Sequence, residues 1–270
     1  MKYDLHVHSN ISDGKLSREE IIKIALLHKL EYISFVEHNQ FEELIINDDT
    51  LKKINGIEFD VFFDRSFHAL CYFDKINNDI LNLIKKYEEN TNDRSEMLIQ
   101  KIKNIYNIDI SLDKLKQFFL KKTITKRDII DWLIYNGYAK TVNEAANKFT
   151  NKKSPSYIPK YSLDFEEVSF KINQSGGKIL LAHPNTLKLD KIELELLIKK
   201  LIEKGLDGIE IYNSSKMVNS DTILLKNIAE QYNLLTSSGS DFHSIDHILG
   251  VNNEYSNKLI KTLKKWLIVK

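Results

Sequence analysis

Apolar residues in this chain recur with two different periods. Short runs rich in apolar and β-branched residues, at 3–8, 31–36, 57–63, 67–73, 178–182, 208–212 and 234–240, have the length of buried strands. Stretches with helical spacing lie between them. Ser17 can cap a helix with Glu20 three residues on, and Ile21, Ile22, Ala25 and Leu26 supply its apolar face. Further helices are predicted at 41–53, 165–174, 192–204, 222–232 and 257–267, while 57–63 and 67–73 read as a hairpin. Such alternation predicts an α/β fold, a mostly parallel sheet or barrel whose functional residues sit at the carboxyl ends of strands. From residue 79 to 157 the pattern changes to lysine-rich helices at 80–105, 112–120, 126–135 and 142–149. This stretch ends at Ser154-Pro155-Ser156-Tyr157-Ile158-Pro159, which holds two of the three prolines and reads as a linker. The expected organisation is a barrel in two parts, 1–78 and 158–270, interrupted by a helical cap at 79–157.

The polar residues attached to these strands are of one chemical kind. His6 and His8, spaced i, i+2, share one face of the first strand, and Asp241 and His243 repeat the spacing after the last. His38, Glu58, His68 and His183 also adjoin strand-like runs, leaving only His28 and His247 of the eight histidines elsewhere. An isolated His-x-His is as readily a solvent-facing strand; the repetition of strand followed by ligand-type residue favours a metal site. His28, near a helix end, is read as a surface or dipole-complementing residue.

Composition narrows the class. The chain has 270 residues, an apolar fraction of 42% and a formal net charge of +1, so no strong global attraction to nucleic acid or membrane is indicated. The single Cys71 excludes an intramolecular disulfide and lies in an apolar run, as a buried structural thiol would. No apolar run is long enough to span a membrane, no apolar leader precedes the first strand, and a cytoplasmic location is expected.

Taken in order, His6-x-His8 with Asp13-Gly14, His38 after a strand, Gly56-Ile57-Glu58, His68, Ala182-His183-Pro184 and Gly239-Ser240-Asp241-Phe242-His243 resemble the polymerase and histidinol phosphatase (PHP) superfamily. The resemblance covers nearly the whole chain. It implies a distorted seven-stranded (β/α) barrel, similar to a TIM barrel, with two to three divalent ions (manganese, zinc or iron) at the strand carboxyl ends. Carried over by position, His6, His8, Glu58 and Asp241 would hold one ion, Glu58, His68 and His183 a second, and Asp13, His38 and His243 a third. Glu58 would then bridge the first two and position a metal-bound hydroxide as nucleophile; no general acid is assigned. Two departures stand out: Glu37-His38-Asn39 replaces a common Asp-His-Asp, and Ser244 follows the final histidine where glycine is frequent.

The helical insertion between the His68 and His183 motifs, and the 205–212 stretch, resemble the branch of nucleoside 3',5'-bisphosphate phosphatases that also act as 5' to 3' exoribonucleases on short RNA. That likeness implies hydrolysis of a 3'-phosphate, a nucleotide or short single-stranded RNA as partner, and no membrane partner. Arg94 and Arg127 match arginines of the branch and are candidates for holding the phosphate that is not cleaved. The segment after His183 lacks an arginine often found there, with Lys188 as a candidate replacement. Alternatives are a phosphatase of another small metabolite, such as histidinol phosphate, and a catalytically silent PHP binding module. All nine expected ligands are present, against the silent module.

Overall fold

The computed structural model describes residues 1–214 and 219–264. Its elements are β1 (Tyr3–Val7), α1 (Arg18–Leu27), β2 (Tyr32–Phe35), β3 (Lys52–Lys53), β4 (Asn55–Phe63), β5 (Arg65–Phe73), α2 (Asn78–Tyr106), α3 (Leu112–Phe119), α4 (Lys126–Tyr135) and α5 (Val142–Ala145). There follow β6 (Leu163–Asp164), α6 (Phe165–Gln174), β7 (Lys178–Leu181), α7 (Lys191–Glu203), β8 (Gly208–Asn213), α8 (Asn219–Gln231), β9 (Leu235–Gly239) and α9 (Asn257–Leu263). The end predicted for the last helix, 265–267, lies outside the described residues.

The α/β class expected from the pattern is present. One sheet runs β1-β2-β3, all parallel; the other runs β6-β4-β5-β7-β8-β9, with β5 antiparallel to both β4 and β7 and the remaining pairs parallel. No ladder among the described residues closes into a barrel. Two isolated parallel bridges, His38 with Glu58 and Val7 with Phe242, link the sheets, and the residues that make them flank or belong to the expected metal site. Helices α7 and α8 are the crossovers of consecutive parallel strands, as βαβ geometry requires.

Residues 41–53 do not form the predicted helix. They run as irregular chain until β3, because other groups occupy the carbonyls a helix would need: Arg18 donates to Glu42 O (2.8 Å), and Lys53 Nζ donates to Leu44 O. Asn47-Asp48-Asp49 favours a turn, and Asp48 accepts from the Thr50 amide at 2.8 Å. The predicted helix at 142–149 divides instead into α5 and a π-helical turn, Ala146–Thr150.

The chain separates into two compact units, 1–81 with the residues from 163 onward, and 82–162. In the first, Tyr3, Leu5, Tyr72, Leu180, Leu259 and Ile260 pack in one buried cluster, and Val7, Ile21, Ile33 and Phe242 in another. The second has its own core, in which Leu98, Ile102, Leu115, Ile129, Trp132 and Phe149 meet. Charge is divided unevenly. Residues 82–162 carry 16 Lys and Arg against 9 Asp and Glu, a formal +7, and the rest of the chain carries −6. No helix of the described residues is long and apolar enough to cross a membrane.

Candidate metal centre

The first and last strands of the sheet-forming unit are held together by a buried carboxylate. Asp4 accepts from the backbone amides of Ser240 (2.9 Å) and Gly250 (2.8 Å) and from the Ser240 hydroxyl. Burial pushes its pKa up to about 6 in spite of these donors. Close approach also requires a residue without a side chain: a Cβ at Gly239 would stand 2.5 Å from His6 Cβ and 2.7 Å from His6 N. The result places Asp241, at φ 53°, beside His6 and His8.

Glu58 on β4 is the centre of the cluster. Its Oε2 lies 3.2 Å from His6 Nε2, 3.1 Å from His8 Nε2 and 3.4 Å from His38 Nδ1. Its Oε1 lies 3.0 Å from His68 Nδ1 and 2.9 Å from His183 Nε2. Asp241 Oδ1 adds contacts of 3.3 Å to His6 Nε2 and 3.4 Å to His8 Nε2. Asp13 stands across from His243, at 3.3 Å, and from His38, at 3.7 Å. All nine expected ligands therefore fall into four overlapping groups: His8, Asp13, His38 and His243; His6, His8 and Glu58; His6, His183 and Asp241; and His38, Glu58 and His68. Burial is graded. His6, His8, Glu58, His183 and Asp241 form a closed floor, whereas His38, His68, His243 and the half-exposed Asp13 form the rim open to solvent.

The donor set fits divalent cations. His6 Nε2 and His8 Nε2 face each other at 3.1 Å, an arrangement that two neutral imidazoles turning lone pairs inward cannot satisfy by themselves. Buried His8 Nδ1 and His38 Nδ1 make no hydrogen bond. On several rings the outer nitrogen is fixed by an oxygen, which leaves the inner one to serve as ligand. The Thr186 hydroxyl donates to His183 O and so accepts from His183 Nδ1 (3.2 Å), and His243 Nδ1 donates to Asp241 O (2.8 Å). His68 Nε2 lies 2.8 Å from Asp60 Oδ1.

The electrostatics have the same cause. Burial opposes charge on Glu58, but the surrounding His6, His38 and His68 hold its carboxyl well below the usual range. Burial would lower His8 and His68, yet Asp241 and Glu58 raise the first to about 9, and Glu58 and Asp60 raise the second to about 9. His38 moves the other way, to about 4, through burial and the like charges of His8 and His68. Protons in the cluster thus occupy positions that a cation would contest.

Several further groups support the ligands, and of these Glu37 and Asn39 stand out in the sequence as neighbours of His38, whereas the roles of Asp60 and Glu210 do not. Glu37 accepts from Ser9 N, the hydroxyls of Ser9 and Ser12, and Arg18 Nε, so it braces the loop carrying Asp13. Asn39 and Asp60 pair through two hydrogen bonds of 2.8 and 3.0 Å. Glu210, fully buried on β8, contacts His6 and His183. A carboxylate inside the apolar run Gly208-Ile209-Glu210-Ile211 was the available signal. The two candidate phosphate contacts lie in the helical unit. Arg94 is buried and donates to the carbonyls of Ile158 and Pro159, and exposed Arg127 pairs with Asp131. His28 caps α1 and its Nδ1 donates to Leu249 O.

No family model matches the chain. It is 24% identical over 250 residues to the 5'-3' exoribonuclease Rnm of Escherichia coli, covering 89% of this chain and 85% of that protein. It is 23% identical over 248 residues to the 3',5'-nucleoside bisphosphate phosphatase of Chromobacterium violaceum, covering 89% and 87%. Among solved structures, a protein from Bifidobacterium adolescentis described as a metal-dependent phosphoesterase aligns with a TM-score of 0.77 at 22% identity, over 98% of this chain and 96% of that one. An amidohydrolase from Chromobacterium violaceum, with bound sulfate and no metal, aligns at 0.78 and 21%, over 98% and 97%. The chain is thus a homologue of bacterial enzymes named 5'-3' exoribonuclease and 3',5'-nucleoside bisphosphate phosphatase, and it shares the fold of a metal-dependent phosphoesterase.

Proposed function

We propose that this chain is a divalent-metal-dependent phosphoesterase that removes the 3'-phosphate of nucleoside 3',5'-bisphosphates and acts on short 5'-phosphorylated RNA, in the cytoplasm. The observation that carries the reading is the convergence of five histidines on Glu58, with Asp13, Asp241 and His243 beside them. In this reading the two bridged sheets are a distorted (β/α)7 barrel. His6, His8, Glu58 and Asp241 hold one cation, Glu58, His68 and His183 a second, and Asp13, His38 and His243 a third. Cations so held would neutralise phosphate oxygens and make water nucleophilic near neutral pH.

The protein's own groups do the remaining work. Glu58 spans two sets of imidazoles and fixes their separation, while the buried floor keeps those rings from rotating. The rim of Asp13, His38, His68 and His243 is the side from which a phosphate ester enters. Arg94 and Arg127 hold the phosphate that is not cleaved. Support for Arg94 comes from its surroundings: burial, with the positive charges of Arg94 and Lys160, lowers the pKa of Lys126, so cationic side chains gather in this part of the helical unit.

The test is metal analysis of the purified protein, followed by phosphate release from nucleoside 3',5'-bisphosphates, mononucleotides, histidinol phosphate and short RNA. Turnover of the bisphosphate and the RNA with cation bound is expected. Selective turnover of histidinol phosphate, or no turnover by protein loaded with manganese or zinc, would remove the reading. Alanine at Arg94 and Arg127 should raise KM for nucleotides, and full activity in both variants would show that the anchor lies elsewhere.

A further inference from the structure

Among the carboxylates around the cluster, Glu210 is set apart by its neighbours. Its Oε1 lies 2.9 Å from His6 Nδ1, and its Oε2 accepts from the backbone amide of His183 at 2.7 Å. The Asn213 side-chain amide also approaches Oε2, at 3.4 Å. Glu210 and His6 are both completely buried, so water cannot substitute for either. It does not belong to any of the four groups that could hold a cation.

We propose that Glu210 is a positioning residue that sets two ligands of the metal centre at once, the tautomer of His6 and the backbone pose of His183. This rests on the metal-dependent reading above. A carboxylate beside His6 Nδ1 keeps the proton there, so Nε2 turns its lone pair toward Glu58, His8 and Asp241. The second oxygen holds the amide of His183, whose φ of 26° and ψ of 63° lie in a region that residues with side chains avoid. His6, His183 and Asp241 form one of the candidate ligand groups, and Glu210 grips two of its three members.

His6, His183 and Asn213 each bring a nitrogen that can carry a proton toward Glu210, and a carboxylate can accept from all three. Glutamine has the same shape but only one accepting oxygen. If its NH2 faces His6, the ring must move its proton to Nε2, which closes that nitrogen to a cation. If the NH2 faces His183, two donors confront each other beside the strained backbone.

The experiment compares the full-length wild type with Glu210→Gln and Glu210→Asp, measuring manganese and zinc affinity by chelator competition. Bound metal is counted per folded molecule, and thermal melting is recorded with and without metal. Weakening of at least one cation by about 10- to 100-fold is expected for Glu210→Gln, together with a smaller rise in melting temperature on adding metal than in wild type. Equal affinity per folded molecule in wild type and variant overturns the proposal, even if the variant melts lower, because a purely structural role would produce that result. Nitrogen NMR of zinc-loaded wild type needs no variant: a proton on His6 Nδ1 is expected, and a proton on Nε2 overturns the assignment. If wild type binds no divalent cation, the functional reading fails before Glu210 is tested.

Discussion

Glu58 meets five imidazole rings, so its removal affects more neighbours than loss of any single histidine. Glu58→Gln should abolish stoichiometric metal binding and lower phosphate release by more than the roughly 100-fold typical of outer partners. Metal content and turnover measured on one preparation check this, and retained metal would refute the central role. A second expectation follows from protonation. In cation-free protein His8 and His68 have pKa values of about 9, against 6.5 for an unfolded ring. Their raised values favour the fold below about pH 6.5, and that contribution is lost as pH rises through 9. Thermal melting in chelator should therefore fall from pH 6.5 to 9, whereas cation affinity should rise across the same window as protons leave. A flat melting profile would show that these rings are not held charged. The ligand-type residues were legible because they follow strands at recurring spacing. Asp60 and Asp4 were not, because a carboxylate's partners across a fold leave no local trace, and Glu210 showed only as a charge inside an apolar strand, without its partners.

At the level of elements, the approach of β1 to β9 depends on Gly239. Gly239→Ala drives a methyl against His6 Cβ and backbone, neither of which can swing aside. A loss of about 1–3 kcal/mol is expected, as for other overpacked sites, with a matching loss of metal, since His6 and Asp241 can no longer stand at 3.3 Å. Chemical denaturation and metal analysis read the two effects, and wild-type values for both would show that the strands have room to part. Strand and helix existence was largely readable from period and caps: Ser17 with Glu20 makes the expected capping box at α1. The misreading of 41–53 has a specific origin. Its apolar spacing suits a helix, but Arg18 comes from outside the segment to take the carbonyl of Glu42, and Lys53 folds back from its far end to take that of Leu44. Tertiary hydrogen bonds overrode a local preference. Glu37, one methylene longer than the residue common in the resembling family, still meets Ser9, Ser12 and Arg18.

For the molecule as a whole, a net charge of +1 conceals a helical unit of +7 and a remainder of −6. If short single-stranded RNA is held by that unit, its binding should weaken steeply with salt, by a slope of order −0.7 per phosphate contact. Titration of a labelled oligonucleotide at several salt concentrations measures the slope, and salt-independent affinity would exclude the basic unit as the contact. Whole-chain charge hides this division, because an average cancels opposite signs, although the lysine-rich stretch is visible in the sequence. The cluster draws on residues from His6 to His243, with Asp4 fastening the amide of Ser240 beside the first strand. A growing polypeptide therefore emerges from the ribosome with its earliest histidines exposed long before their last partners have been translated. The cluster cannot be completed until residue 243 has been made, so no shorter nascent chain holds all nine of these side chains.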